Sequence, residues 1–158
     1  MHVEQIMART VHCCGPQDTL AHAAHLMWDN DCGCLPVVTG DGEPRVAGMI
    51  TDRDICMCAL FQSRPLQELR VAEAMAKEVH ACRPDDSLAT AEKTMRQARI
   101  RRLPVIDQRG LLVGMISLAD LAQEAARERS AKSRAITENE VGDTLAAICE
   151  PVARQLAA

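Results

Sequence analysis

The sequence predicts an α+β fold in which two similar halves are followed by a helical tail. Three observations predict it. Most of residues 1–62 return, in the same order, in residues 70–128. Within each copy, short apolar runs bounded by turn residues alternate with segments whose apolar residues recur at helical spacing. Residues 129–158 match neither copy and carry an apolar stripe of their own.

The repeat is defined by a nearly constant offset. Residues 35–38 return 68 positions later as residues 103–106, both beginning Leu-Pro-Val. Residues 48–54 return 66 positions later as 114–120, because the first copy has two extra residues around 43–45. An offset held over so many positions indicates an internal repeat. The matching pairs upstream are Val3 and Val71, Met7 and Met75, Val11 and Val79, His12 and His80, Pro16 and Pro84, Leu20 and Leu88, Ala23 and Ala91, and Met27 and Met95.

Local patterns predict the same order of elements in both copies. Each copy is expected to begin with a short helix and a short strand, continue with an amphipathic helix, and end with two strands and a second helix. A copy of about 60 residues would be marginal alone, so the two are expected to share one core. In the first copy the predicted helices are 3–7, one from residue 20, and 52–61, and the predicted strands are 11–13, 35–38 and 45–51. In the second copy the helices are 71–75, one from residue 88, and 118–131, and the strands are 79–82, 103–106 and 111–116.

The tail is expected to hold one more helix after a polar connection at residues 130–139. Asp143 can cap this helix, and Pro151 should kink or restart it. Its apolar stripe must be covered, either by the two copies or by a partner subunit, and the partner subunit is the expected cover. The stripe consists of Leu145, Ile148, Cys149, Val152 and Leu156.

Composition argues against several functional classes. Lys and Arg number 18 against 22 Asp and Glu, and the aromatic residues are limited to Trp28 and Phe61. A nucleic-acid-binding surface would need clustered basic residues and stacking rings. The longest apolar run, residues 55–61, is far shorter than a membrane span, and residues 1–4 show no signal-peptide pattern. We therefore expect a cytoplasmic protein that engages neither nucleic acid nor membrane.

The eight cysteines are expected to be reduced thiols. Six of them form three pairs with no residue or one residue between the two cysteines, whereas structural zinc ligands usually have two to four residues between them. Small buried apolar side chains are the favoured interpretation, and no metal site is predicted, although a redox or metal-responsive role is kept as an alternative. Likewise, His22 and His25 share a polar helix face without an evident third ligand. The cysteines are Cys13, Cys14, Cys32, Cys34, Cys56, Cys58, Cys82 and Cys149.

A hydroxyl and a carboxylate lie three residues apart at two predicted strand-to-helix junctions. These pairs are Thr51 with Asp54, and Ser117 with Asp120. A helix N-terminus offers free N–H groups and partial positive charge to a phosphate, and a carboxylate can accept from both hydroxyls of a ribose. The pairs therefore suit a nucleotide with a free ribose diol. The alternative is that they only cap their helices.

The repeated motifs resemble the cystathionine-β-synthase (CBS) domain, and the tandem pair resembles a Bateman module. They are Met, Pro-x-x-Thr/Ser-Leu, Met, Leu-Pro-Val and Gly-Met-Ile-Thr/Ser-x-x-Asp, in that order and twice, over about residues 1–128. The resemblance implies repeated β-α-β-β-α units with pseudo-two-fold symmetry. It also implies paired three-stranded sheets packed back to back, two clefts between the copies, and a homodimer shaped as a flat disc.

The same resemblance implies a set of nucleotide-binding residues. In such domains the Asp of the last motif holds the ribose, the Thr or Ser contacts ribose or phosphate, and apolar residues enclose the adenine. Basic residues before Leu-Pro-Val often contact phosphates, and only the second copy has two arginines there. Carried over, the apolar walls are Val11 with Met49 and Val79 with Met115, the adenine edge faces the backbone near His12 and His80, and the remaining residues are Thr51, Arg53, Asp54, Arg101, Arg102, Ser117 and Asp120.

The resulting hypothesis is a regulatory, non-enzymatic module. It binds an adenosine nucleotide (AMP, ADP or ATP) between the two repeats and signals to a downstream protein by a conformational or oligomeric change. No covalent cofactor and no catalytic set are predicted, since no nucleophile–base pair or phosphate-transfer loop can be placed. The alternatives are a ligand-free dimerisation module and a cysteine-based responder. S-adenosylmethionine and NAD share the adenosine half and stay open as ligands.

Overall fold

The structure, a computed structural model, describes residues 1–40, 42–130 and 134–151. Two repeats of the same element order are followed by one further helix. Short 3₁₀ turns lie at Val3–Gln5 and Glu128–Ser130. The other elements are α1 (Leu20–Asp29), β1 (Cys34–Thr39), β2 (Arg45–Thr51), α2 (Asp52–Gln62), α3 (Val71–Ala74), α4 (Leu88–Ala98), β3 (Arg102–Ile106), β4 (Leu112–Ser117), α5 (Leu118–Arg127) and α6 (Glu138–Cys149).

Each repeat contains one antiparallel strand pair, β1 with β2 and β3 with β4. The registers are equivalent, with Leu35 opposite Ile50 in the first pair and Leu103 opposite Ile116 in the second. All four side chains are fully buried. The predicted α+β class and its repeated strand–strand–helix order are therefore confirmed.

The third strand predicted at the start of each copy is reduced to a single bridge. Cys14 N–H donates to the carbonyl of Pro36 (3.2 Å), and Val38 N–H donates to the carbonyl of Cys14 (2.8 Å). The ladder cannot extend either way, because the next donors would be the nitrogens of Pro36 and Pro16, which carry no hydrogen. Cys82 forms the equivalent bridge with Val105 in the second copy.

The two repeats exchange their opening segments. Ala8 exchanges two backbone hydrogen bonds with Met115, each 2.9 Å, and Ala76 exchanges two with Met49, at 3.0 and 2.8 Å. The glycine before each methionine permits this approach. A Cβ on Gly48 would lie 2.7 Å from the carbonyl oxygen of Ala76.

Two apolar clusters take the place of the single shared core predicted from chain length. Each is completed by a segment of the other repeat. Val3 and Met7 pack into the cluster of the second repeat, which also holds Leu103 and Ile116. Leu69, just before the second repeat, and Val71, at its start, complete the cluster of the first. The exchange ties the repeats together without merging their cores.

The C-terminal helix α6 packs against α4 and α5 of its own chain, but Leu145 and Cys149 of the predicted stripe are exposed, so their cover by a partner subunit stays a prediction. Ile136, just before it, is buried, and the partly buried Ile148 contacts the second-repeat cluster. Thr137 caps the helix, accepting from Glu140 N–H, whereas the predicted cap, Asp143, lies inside it. The helix ends just before Pro151. Two members of the predicted stripe, Val152 and Leu156, lie outside the described residues.

Candidate functional site

A cleft of about 470 Å³ lies between the two repeats. The first repeat contributes the end of β2 and the first turn of α2, and the second contributes the segment after α3 and the turn between α4 and β3. The end of α6 closes one side through Ile148. Among the predicted site residues, seven line this cleft: Met49, Thr51, Arg53, Asp54, His80, Arg101 and Arg102.

Thr51 and Asp54 form a reciprocal cap at the start of α2. The Thr51 hydroxyl donates to Asp54 Oδ2 (2.7 Å), as does the Thr51 N–H (2.9 Å), and Asp54 N–H donates back to Thr51 Oγ1 (3.2 Å). These three hydrogen bonds use only the Oδ2 atom and the backbone N–H of Asp54. Within the described residues Asp54 Oδ1 accepts no hydrogen bond, so this oxygen can accept one from a ligand.

The same cap is present at the start of α5. The Ser117 hydroxyl and N–H donate to Asp120 Oδ2 at 2.6 and 2.8 Å, and Asp120 N–H donates to Ser117 Oγ at 3.2 Å. The capping role considered as the alternative is thus present in both copies. Capping explains why a hydroxyl and a carboxylate recur at this spacing in both copies. It gives no reason to expect a ligand at one junction rather than the other.

Three arginines distinguish this cleft. Arg99 ends α4 in the left-handed region, with φ of 54°, and this turn directs residues 99–102 along the cleft. Arg101 and Arg102 are exposed. The Arg99 guanidinium pairs with Glu150 at 2.6 Å, and Arg101 Nη2 lies 3.9 Å from Cys149 Sγ. With Arg53, four guanidinium groups therefore line the cleft that also holds Thr51 and Asp54.

Acidic and thiol groups complete the lining. Asp52 and Glu78 lie in the same cleft as the arginines. Cys34 also lines it, where burial raises the pKa of its thiol and the nearby Arg102 guanidinium partly opposes that rise. Cys34 is therefore a neutral neighbour of Arg102 near neutral pH rather than a thiolate.

The structure regroups the predicted site residues. Because Met49 pairs with Ala76, the segment that follows Ala76 approaches Met49, and His80 lines the same cleft. Val11 does not line that cleft, so its grouping with Met49 stays a prediction. By the same exchange, Val11 and His12 follow the segment paired with Met115. Six predicted residues are not among those lining the described cleft: Val11, His12, Val79, Met115, Ser117 and Asp120.

Sequence reasoning missed several residues of the cleft, among them Asp52, Glu78, Arg99 and Ile148. Arg99 precedes the Arg101–Arg102 pair and could have been included as part of one basic cluster. Ile148 reaches the cleft, and Glu150 reaches Arg99 beside it, only because α6 packs on the second repeat, which no local pattern predicts.

The cysteines do not form a metal site in the part of the chain that the structure describes, where no three His, Cys, Asp or Glu side chains cluster suitably. Burial, reinforced by Asp18 and then Cys13, raises the pKa of Cys14 to about 12. Burial and Asp86 raise the pKa of Cys82 to about 12. These two are buried, as the favoured interpretation expects, but it fails for Cys56 and Cys149, which are exposed, and the other four are only partly buried. Separately, no helix in residues 1–40, 42–130 and 134–151 has the length and apolar character of a membrane span.

Comparison with known proteins identifies the repeat. The family model of the CBS domain matches residues 3–59 and 71–127. The chain is 38% identical over 131 residues to the CBS domain-containing protein YhcV of Bacillus subtilis, covering 83% of this chain and 90% of that protein.

Two solved structures share the fold. Hypoxic Response Protein I, solved with two coordinated zinc ions, is 32% identical, with a TM-score of 0.70, over 78% of this chain and 98% of that one. The CBS domain pair of protein MJ0100, solved with 5′-methylthioadenosine and S-adenosyl-L-methionine, is 22% identical, with a TM-score of 0.69, over 84% of this chain and 98% of that one.

Proposed function

This chain belongs to the CBS domain family as a tandem domain pair, a regulatory module, and we propose that it binds an adenine nucleotide in the cleft between its repeats. Binding then changes the packing of the two repeats or of two protomers, and this change is read by a downstream protein. The domain limits that go with this function are 1–62 and 70–128 for the repeats and 129–158 for the tail.

One observation carries the proposal. The N-terminus of α2, with Thr51 and Asp54, shares a single cleft with Arg101 and Arg102. A ribose diol can donate to Asp54 Oδ1, which the cap leaves available. Phosphate oxygens can accept from the arginine forks, which bind phosphate bidentately. Met49 and Ile148 supply apolar surface for the base.

The two clefts expected from the pseudo-symmetry are unequal. The positions equivalent to Arg101 and Arg102 in the first repeat are Gly33 and Cys34, which offer no charge to a phosphate. The arginines line the cleft with Asp54, but Arg102 also lies opposite Ser117 in the β3–β4 pair, so the Ser117–Asp120 junction, with Met115 and the Val11–His12 segment, is proposed as a second adenosine site. We propose that the cleft with Asp54 is the main nucleotide site, with Arg53 and His80 at its edge.

The adenosine part of the proposal has support from a fold neighbour. The CBS domain pair of MJ0100 was solved with two adenosine compounds, which shows that this fold can hold an adenosine. The arginines of this chain favour ligands with several phosphates over those two compounds. We accordingly propose ATP and ADP ahead of AMP, and a cytoplasmic homodimer as the regulatory unit.

A thermal-shift screen of the reduced protein tests the proposal, with AMP, ADP, ATP, NAD, S-adenosylmethionine and adenosine as ligands. A ligand at about 100 times its dissociation constant adds roughly 2.7 kcal/mol to the unfolding free energy. The expected result is a response that grows with phosphate number. A flat response across all six compounds would overturn the proposal and favour the ligand-free interaction module.

Matched variants separate binding from capping. Asp54→Asn and Asp120→Asn disturb equivalent caps, so each should cost a similar unfolding free energy, about 0.5–2 kcal/mol. Asp54→Asn should abolish most of the ATP shift, whereas Asp120→Asn should retain it. The site is misassigned if Asp120→Asn removes the shift and Asp54→Asn does not.

A further inference from the structure

A second cavity, of about 370 Å³, adjoins the cleft between the repeats. The two share part of their lining, since Gly33 and Asp52 belong to both. The segment that leads into β1 divides its side chains between them, with Cys32 in the lining of the cavity and Cys34 in that of the cleft. We call the smaller space the first-repeat cavity. The rest of its lining is Ala24, Met27, Trp28, Asp31 and Ile55.

The first-repeat cavity and the cleft differ in charge. Four arginines line the cleft, whereas the described lining of the cavity has two carboxylates, Asp31 and Asp52, and no basic side chain. Neither carboxylate forms an ion pair within residues 1–40, 42–130 and 134–151. Asp52 Oδ1 accepts from Arg53 N–H at 2.7 Å, and Asp52 Oδ2 lies 3.1 Å from where a Cβ on Gly33 would be. A cation that enters the cavity therefore meets uncompensated negative charge.

Trp28 adds an aromatic surface beside these carboxylates. Its side chain lines the cavity and is 87% exposed, so a ligand can stack on the ring. Trp is the side chain whose ring face attracts cations most strongly. Met27 and Ile55 supply apolar surface next to it. The cavity therefore suits a flat ring that carries a positive charge.

We propose that the first-repeat cavity holds the cationic nicotinamide ring of NAD⁺ while the cleft holds its adenosine diphosphate. The adenosine ribose lies at Asp54 and the two phosphates lie at Arg101 and Arg102, so the inference rests on the proposed function. The second nucleoside passes Gly33, where the absence of a side chain leaves room beside Asp52. NAD⁺ combines the two features that the two spaces recognise, a diphosphate for the basic cleft and a pyridinium for the acidic cavity.

The second repeat does not offer the same features. Asp31 and Arg99 are equivalent positions, each in the left-handed region after its helix, with φ of 47° and 54°, and they carry opposite charges. In addition, α6 packs on α4 and α5 in the second repeat. A cationic ring is therefore held in the first repeat alone, which fixes the direction of the dinucleotide. The second repeat has Arg96, Arg99 and Leu118 where the first has Trp28, Asp31 and Asp52.

Calorimetric titration of the reduced protein with NAD⁺, NADH and ADP-ribose tests the inference. ADP-ribose lacks the nicotinamide ring, and NADH carries the ring without its positive charge. NAD⁺ should bind at least about threefold more tightly than either compound. Asp31→Asn should remove most of this preference and leave ADP-ribose binding unchanged. Asp29→Asn is the matched control, because it neutralises a neighbouring exposed carboxylate that does not line the cavity, and it should keep the preference.

Trp28 provides a second readout, because it is the only tryptophan in the sequence and its emission therefore reports on this cavity alone. Stacking of the nicotinamide ring should quench this emission, so NAD⁺ should quench it and ADP-ribose should not. The Trp28→Leu variant should bind NAD⁺ and ADP-ribose with similar affinity, as measured by calorimetry.

Each contrary result has a distinct meaning. Equal binding of NAD⁺ and ADP-ribose to the wild type, or a preference that survives Trp28→Leu and Asp31→Asn, overturns the first-repeat cavity as a subsite and leaves the nucleotide cleft intact. NADH that binds as tightly as NAD⁺ also overturns it, because the charge of the ring is then not recognised. No binding of NAD⁺, ADP-ribose or ATP overturns the nucleotide cleft and this inference with it.

Discussion

The carboxylate of Glu150 lies 2.6 Å from the guanidinium of Arg99, at the edge of the cleft between the repeats. Glu150 directly follows α6, so the tail places a negative charge beside the arginines that are proposed to hold phosphate. A nucleotide phosphate approaching Arg99 must compete with this carboxylate. The tail would therefore lower the phosphate affinity of the proposed site as well as covering part of the second repeat.

Replacing Glu150 with Gln should tighten ATP binding. Exposed ion pairs are worth about 0.2–1 kcal/mol, which corresponds to an affinity gain of up to about fivefold. Calorimetric titration measures it. Glu138→Gln is the control, because Glu138 pairs with Arg129 at the far end of α6. An equal gain in both variants would indicate a general charge effect instead of competition at Arg99.

Thr144→Val should destabilise the fold. The substitution leaves the buried Glu92 carboxylate without its hydroxyl donor, and Arg96, at 3.8 Å, compensates only in part. Loss of such a donor costs about 1–3 kcal/mol, measurable by urea unfolding. Elsewhere on α4, Thr94 donates to the carbonyl of Thr90 (3.0 Å) in an exposed bond, so Thr94→Val should cost less than about 0.5 kcal/mol. Equal losses of unfolding free energy in the two variants would show that the Thr144–Glu92 hydrogen bond adds nothing to stability.

Gly48→Ala should disturb the exchange between repeats. The new Cβ would lie 2.7 Å from the Ala76 carbonyl oxygen, so backbone must move, at a cost of about 1–3 kcal/mol. In contrast, Gly142 lies inside α6, where a Cβ would meet no other atom within 4 Å, and Gly142→Ala should stabilise by about 0.5–1 kcal/mol. Thermal unfolding of both variants checks the opposite signs, and a neutral Gly48→Ala would contradict the close approach.

Cysteine labelling should follow burial. Because the pKa of Cys14 and Cys82 is raised from 9.0 to about 12, these thiols keep their protons in the folded state at about pH 8 and react slowly. The exposed Cys56 and Cys149 should be alkylated first, as mass spectrometry of an iodoacetamide time course would show. Rapid labelling of Cys14 in the folded protein would revive the redox alternative.

The same pKa values set the sign of the alkaline response. A folded-state pKa above the unfolded value means that the folded state holds its protons more tightly. The contribution to stability is therefore complete below about pH 9 and is lost as pH rises toward 12. The urea concentration at the midpoint of unfolding should therefore fall as pH rises from about 9 toward 12. Below about pH 9 these two thiols should leave the midpoint unchanged.

Local features of the sequence were sufficient for some parts of the site and not for others. The Thr51–Asp54 cap was predictable because its three bonds join residues three positions apart. The start of α6 could also have been predicted, because Thr137 and Glu140 have the spacing of a capping box. That pattern is a stronger signal of a helix start than Asp143 alone. Pairing of Met49 with Ala76 was not predictable locally, because it depends on how two equivalent segments cross. The approach of Glu150 to Arg99 likewise depends on tertiary packing.

The most direct test of the nucleotide site is calorimetric titration of the reduced protein with ATP and with adenosine. Each charge-assisted hydrogen bond to a phosphate is worth about 1.5–3 kcal/mol. ATP should therefore bind the wild type at least about tenfold more tightly than adenosine. The Arg101→Ala, Arg102→Ala double variant should bind both with similar affinity. Equal affinities in the wild type, or no heat from either compound, would contradict a phosphate-binding cleft between the repeats.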